Sequence, residues 1–450
     1  MSIIGQQIDK AYRAARSLIV YRSIIKDDIV KDLVNMLITA SNKSQDPAVI
    51  TYYYELFSKL VEKSNQKTPS TGNLWQNHLL DLVLNDENAF SLKCEKSALE
   101  GVDKHLKELV KRDLAFLKTL FDFDFSAFTS LIKQHIEEVE DFPPMCVIKG
   151  SDDYPFPKTY FREKQYLKEL LQKNHDWTEK IEELASFYKK VGCGKFGRYW
   201  AFKWVGNGQD GKLVGIPKPD SIRLKDLIGY EEQKKEVIRN TRQFIHGFGA
   251  NNMLLYGDRG TGKSSTIKAL VNEFGEEGLR IVEVTRDQLT NLSGIIAQLR
   301  DRPYRYIIFV DDLSFEEHET EYKYLKAVLE GSLEPAPENV LIYATSNRRH
   351  LIREYHSDRK EDELKAQDTL QEKLSLSDRF GITIIYLSPD QEKYLEIVEG
   401  IAKSKGINIE PEKLRQLAIK WELWHNSRSG RTAKQFIEDL LGKMAYKTYE

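Results

Sequence analysis

The chain has 450 residues, 41% of them hydrophobic and 30% charged, with a formal net charge of -2. That length exceeds one compact core and predicts two to four domains. The near-neutral balance excludes a chain drawn to nucleic acid or anionic lipid by its net charge alone, and no apolar run approaches the length of a membrane span.

The start, Met1-Ser2-Ile3-Ile4-Gly5-Gln6-Gln7, lacks a basic stretch followed by an apolar core and does not read as a secretory signal. Cys94, Cys146 and Cys193 are few, odd in number and far apart, and no histidine stands at a metal-ligand spacing from them. The expectation is a cytoplasmic protein with free thiols.

Residues 1–190 read as a mostly helical region. The stretches 29–34 and 52–61 carry apolar residues at helical spacing, 64–73 is a polar loop, and 103–121 brings Leu106, Leu109, Leu114, Leu117 and Leu120 into a further helix. Pro143-Pro144 and the segment 151–157 interrupt the pattern before helices return at 161–171 and 177–188. The aromatic, partly alternating run 196–205 predicts a strand, 206–211 a turn and 212–216 a returning strand, so 191–223 reads as a short β-hairpin or linker module. Lys195-Phe196-Gly197-Arg198-Tyr199-Trp200 is a small basic aromatic patch that suits either stacking on exposed bases or packing of the hairpin.

From 224 to 388 short apolar strands, at 253–256, 280–284, 306–310, 340–345 and 382–387, alternate with helices. This pattern predicts a mostly parallel sheet covered on both faces. From 389 to 450 the chain reads as helical.

Gly257-Asp258-Arg259-Gly260-Thr261-Gly262-Lys263-Ser264 satisfies the full phosphate-loop pattern, between a strand ending at Tyr256 and a helix beginning near Ser265. Glycines let the backbone turn its N–H groups toward phosphates, and the helix start adds favourable dipole charge. Lys263 is placed to reach the terminal phosphates of ATP and Ser264 to offer its hydroxyl to Mg2+. An apolar strand ends in Asp311-Asp312. Asp311 is the candidate for the metal shell and Asp312 for handling the attacking water, with Glu316 and Glu317 as nearby alternatives. Asn347 ends another apolar strand, where ligands collect in open α/β sheets. Arg379 is a candidate for stabilising transferring phosphate charge in a neighbouring subunit, and Arg431 for reaching the nucleotide from a C-terminal lid, with Arg428 as its rival.

These motifs resemble the AAA+ ATPase superfamily over roughly residues 224–446. The resemblance implies an α/β fold: a P-loop AAA+ parallel sheet with helices on both faces, a C-terminal helical lid and an N-terminal mostly helical domain. It implies that Asp311-Asp312 form the second nucleotide motif, Asn347 the first sensor, Arg379 an arginine finger acting in trans in a homo-oligomer and Arg431 the second sensor. It also sets Ile228 and Gly229 where an adenine pocket begins. Many such enzymes have Asp-Glu where this chain has Asp311-Asp312, and 353–373 is a charged insertion. A closer resemblance, carried by Phe309-Val310-Asp311-Asp312-Leu313-Ser314-Phe315-Glu316, by 344–351 and by 372–381, is to the bacterial ATP-binding domain-of-unknown-function 815 family.

The function expected from these readings is Mg-dependent ATP hydrolysis coupled to conformational change or remodelling of an unknown protein or nucleic-acid partner. The alternative is a nucleotide-dependent switch with little turnover, suggested by the shorter acid at Asp312. A small-molecule kinase fits less well, because no second-substrate site is evident.

Overall fold

The computed structural model describes residues 3–42, 46–64, 70–135, 142–146, 157–206, 208–315, 321–330, 337–347, 351 and 376–449. The chain divides into two compact units, Met1–Tyr199 and Trp200–Glu450.

The first unit is helical: α1 (Ile3–Arg16), α2 (Asp28–Asn42), α3 (Ala48–Ser64), α4 (Leu74–Asn85), α5 (Ala89–Ser97), α6 (Lys104–Phe121), α7 (Phe125–His135), α8 (Lys158–Lys173), α9 (Ile181–Val191) and the short α10 (Gly194–Arg198). Local signals start several of them. Asn73 and Gln76 cap α4 reciprocally, Asn88 and Ser91 do the same for α5, and Asp103 accepts the Leu106 N–H at the head of α6. The buried stripe of α6 runs through Val110, Asp113, Leu114, Leu117, Leu120 and Phe121. Leu109, expected among the apolar positions, falls off that face and is exposed.

The core of this unit is aromatic. Trp75 and Trp177 are fully buried, yet each indole N–H finds a carbonyl, Leu120 O and Leu171 O respectively, both at 2.8 Å. Charge is buried here too. The Asp113 carboxylate accepts the backbone N–H groups of Ile19, Val20 and Tyr21 at 2.7–3.1 Å. Asp81 takes the ammonium groups of Lys164 at 2.5 Å and Lys168 at 2.7 Å, both lysines being fully buried. Asp27 is bonded by His78 and Lys63, each at 2.9 Å.

The second unit is built on one sheet. Its strands are β1 (Ala201–Val205), β2 (Lys212–Gly215), β3 (Met253–Gly257), β4 (Leu279–Val284), β5 (Arg305–Val310), β6 (Val340–Ser346) and β7 (Ile382–Tyr386), in the order β2-β1-β4-β5-β6-β3-β7. All neighbours are parallel except the β1–β2 hairpin. Helices α11 (Glu231–Ile245), α12 (Lys263–Phe274), α13 (Leu292–Leu299) and α14 (Glu321–Glu330) accompany the sheet, and α15 (Gln391–Ser404), α16 (Pro411–His425) and α17 (Gly430–Tyr449) follow it. This is an AAA+-like architecture, with helical regions before and after a mostly parallel sheet. Every residue of β6 and all but the ends of β3 and β5 are buried, as expected of strands covered on both faces.

The hairpin anticipated between the two regions extends the edge of this sheet, through β1 beside β4. Its strand starts later than the aromatic alternation suggested, because residues 194–198 form a helical turn that buries Phe196. Trp200 lies against the backbone of Gly275, where an added Cβ would come within 2.3 Å of the indole. Two aromatic rings of the basic patch are thus occupied by packing. The last three helices share their own apolar cluster, including Tyr394, Ile397, Val398, Leu414, Phe436 and Ile437. No helix among the described residues is long and apolar enough to cross a membrane.

Candidate nucleotide site

β3 delivers the chain into the phosphate loop at Gly257. Its φ of +131° and its position against β7 both demand glycine, since a Cβ there would lie 2.0 Å from the Tyr386 carbonyl oxygen. The Asp258 N–H donates to that carbonyl at 2.9 Å, and the Thr261 hydroxyl closes the loop on Asp258 O at 2.8 Å. The loop ends at Gly262, the N-cap of α12, which has φ +94° and makes no side-chain cap. An added Cβ at Gly262 would meet nothing within 4 Å. Gly262 thus brings no side-chain cap to the first turn of α12, a helix start of the kind that can receive an anion. Arg259 is exposed, and Ser265 is half-buried in that first turn.

Lys263 is largely buried, and its ammonium donates to Gly257 O at 2.8 Å and Asp258 O at 2.7 Å, with Asn347 Oδ1 at 3.4 Å. Burial pushes it below the usual lysine range, opposed by the carboxylates of Asp258, Asp312 and Asp311. The Ser264 hydroxyl donates to Asp311 Oδ1 at 2.5 Å. Asp312 has φ +51°, so its backbone turns sharply off the end of β5. Its carboxylate accepts Asn347 Nδ2 at 2.6 Å. The structure thus brings Lys263, Ser264, Asp311, Asp312 and Asn347 together at the ends of β3, β5 and β6.

Sequence reasoning missed Thr345. It is buried, its hydroxyl donates to Asp311 Oδ1 at 2.6 Å, and it accepts the Asp312 N–H at 3.0 Å. The register carried the signal: Val310 pairs with Ala344, so one step further sets Asp311 beside Thr345.

The lid residues divide. The Arg431 N–H donates to Gly260 O at 3.2 Å, which brings the start of α17 onto the phosphate loop and leaves the arginine side chain exposed. The rival Arg428 is engaged with Glu422 at 2.5 Å. Ile228 packs on the lid cluster, where a Cβ on Gly400 would come within 2.8 Å of it, and Gly229 has φ +83°. Arg379 pairs with Glu330 at the end of α14, at 2.5 Å. Glu316, Glu317 and the charged segment 353–373 lie outside the described residues.

Ser264 and Asp311 present hard oxygen donors, a set that suits magnesium, which takes one or two protein oxygens and keeps water or phosphate for the rest. Among the described residues no group of three or more His, Cys, Asp and Glu side chains gathers as a metal site.

The family model described as "Protein of unknown function (DUF815)" matches residues 197–444, more than half of the sequence. The chain belongs to the DUF815 family. A comparison with curated proteins gave no match. Among solved structures, the DUF815 chain is similar to Thermotoga maritima RuvB, described as a Holliday junction branch migration motor. That similarity has 15% identity, a TM-score of 0.32, and covers 49% of this chain and 72% of that one. A proline-to-glycine variant of the same protein gives 14% identity and a TM-score of 0.32, covering 49% and 73%.

Proposed function

We propose that this DUF815 protein binds ATP with magnesium and hydrolyses it, coupling turnover to a conformational change that acts on a macromolecular partner. The observation that carries the reading is the 2.5 Å bond from the Ser264 hydroxyl to Asp311, beside the Lys263 ammonium and an uncapped helix start. Ser264 and Asp311 would hold the magnesium ion, which when bound neutralises charge on the phosphates. Lys263 exchanges its carbonyl partners for the terminal phosphates. Asp312 orients water, with its carboxylate aimed by Asn347, and Arg431 meets the phosphates from the lid. Leu227-Ile228-Gly229-Tyr230 faces the base. Arg379 serves the site of a neighbouring copy in a homo-oligomer. The free thiols Cys94, Cys146 and Cys193 agree with a cytoplasmic setting.

Phosphate release from Mg-ATP tests this, comparing the intact protein with Lys263→Ala and Asp312→Ala. A loss of roughly 10²–10³-fold in both is expected, the usual scale for removing one group that stabilises a transition state. Loss in Lys263→Ala alone moves the water-handling role away from Asp312, toward Glu316.

The Asn347–Asp312 bond favours a second reading, a nucleotide switch with slow turnover, because it occupies the acid that would act on water. Tight ATP binding without phosphate release selects that reading.

A further inference from the structure

The strand after which the lid begins, β7, is held where it leaves the sheet. Tyr386 O takes the Asp258 N–H at 2.9 Å, Leu387 O takes the Tyr230 hydroxyl at 2.7 Å, and the Ser388 N–H is given to Asp258 Oδ2 at 2.6 Å. Pro389 follows, which disfavours helical backbone at Ser388. Asp390 then caps α15 by accepting the Lys393 N–H. The segment 387–390 is therefore a short connection whose main chain is bonded by Tyr230 and by Asp258 of the phosphate loop.

Asp258 is the grip from the phosphate loop. It lies in the phosphate-loop motif, and its carboxylate accepts the Ser388 N–H. The Ser388 N–H and hydroxyl hold that carboxylate below the usual range, so it stays ionised. Two residues further on, Gly260 O receives the Arg431 N–H from the other end of the lid. The lid is thus tied to the loop at Asp258 and Gly260, and any rearrangement of the loop around an anion is felt at both ties.

We infer that Asp258 is a positioning residue that transmits the state of the phosphate loop to the lid through the Ser388 backbone. The inference rests on the nucleotide reading above. A polyphosphate drawn into the loop shifts the main chain that carries Asp258, and with it the acceptor offered to the Ser388 N–H. An asparagine keeps an acceptor oxygen for the Ser388 N–H without the charge, whereas an alanine removes both.

The test is amide hydrogen exchange in the full chain, following 387–392 and 429–433 with and without Mg-ADP, for the intact protein, Asp258→Asn and Asp258→Ala. Nucleotide affinity is measured in parallel with a fluorescent ADP analogue. The intact protein is expected to change exchange at both segments by roughly tenfold on binding, the factor one hydrogen bond of ordinary net strength gives. Asp258→Asn is expected to keep the response at both segments. Asp258→Ala, compared at an ADP concentration that saturates it, is expected to lose the nucleotide-dependent change at 387–392. A response in Asp258→Ala equal to that of the intact protein overturns the role of Asp258 and leaves nucleotide binding standing. Absence of ADP binding by the intact protein overturns both.

Discussion

Both units of the molecule gather charged side chains, and they use them oppositely. In the N-terminal unit Asp113 sits fully buried and spends its carboxylate on three backbone N–H groups, while Asp81 is shared between two buried lysines. These carboxylates are committed to protein donors and hold helices together across long sequence separations. In the second unit Lys263 is bonded to main-chain carbonyls, Asp312 is exposed, and the first turn of α12 has no side-chain cap. The contrast shows that a cluster of charges does not make a site. What distinguishes the candidate site is a helix start with no side-chain cap beside a lysine bonded to main-chain carbonyls.

Damage confined to the core of the N-terminal unit is expected to leave nucleotide binding intact. Trp75→Ala removes a fully buried indole and its bond to Leu120 O. It is expected to cost about 3–5 kcal/mol, seen as an early calorimetric transition, while ATP affinity at 25 °C stays unchanged. A matching loss of ATP affinity would show that the units are not separable in this way.

The reverse substitution comes next in size. Lys263→Ala is expected to weaken transition-state stabilisation by about 3–4 kcal/mol and to move the melting temperature little, since among the described residues the lysine's closest partners are main-chain carbonyls. Differential scanning calorimetry beside a phosphate-release assay reads both sides.

Acid acts on the ion-paired carboxylates of the N-terminal unit. Burial raises the Asp27 and Asp81 carboxyls, but His78 and Lys63 around Asp27, and Lys164 and Lys168 around Asp81, outweigh it and hold both well below the usual range. A depressed folded-state value means the stability they supply is complete above about pH 4, the ordinary carboxylate value, and drains away as pH falls further. Asp81→Asn is expected to flatten that decline in a melting series taken from neutral pH downward.

The smallest effect separates two neighbouring arginines of the lid. Arg428→Ala breaks the ion pair with the buried Glu422 and is expected to cost about 1 kcal/mol of stability, with nucleotide affinity unchanged. Arg431→Ala is expected to do the opposite, lowering affinity with no shift in melting. Titration with a fluorescent nucleotide checks both.

Much of this was legible in the sequence because its signals are local. The strands are continuous apolar runs since both faces are covered, and the phosphate loop keeps its meaning within eight residues. The helices of the first unit announced themselves by spacing, but not what joins them: Asp113 meets Ile19 across 94 positions, and nothing near either residue says so. At the site, Thr345 read as one more strand residue until register set it beside Asp311. Leu109 shows the limit of counting leucines, since the burial stripe of α6 passes through the charged Asp113 instead.

The positive φ of Asp312 bears on why an aspartate stands there at all. Left-handed backbone is tolerated by aspartate and asparagine better than by longer side chains, because a short polar group can bond locally. At this position the main chain itself selects the short acid, and Asn347 and Thr345 hold the turn it makes. The short side chain at 312 thus suits the shape of the turn. Lengthening the acid tests the fold as much as the reaction, and asparagine is the replacement that leaves the turn undisturbed.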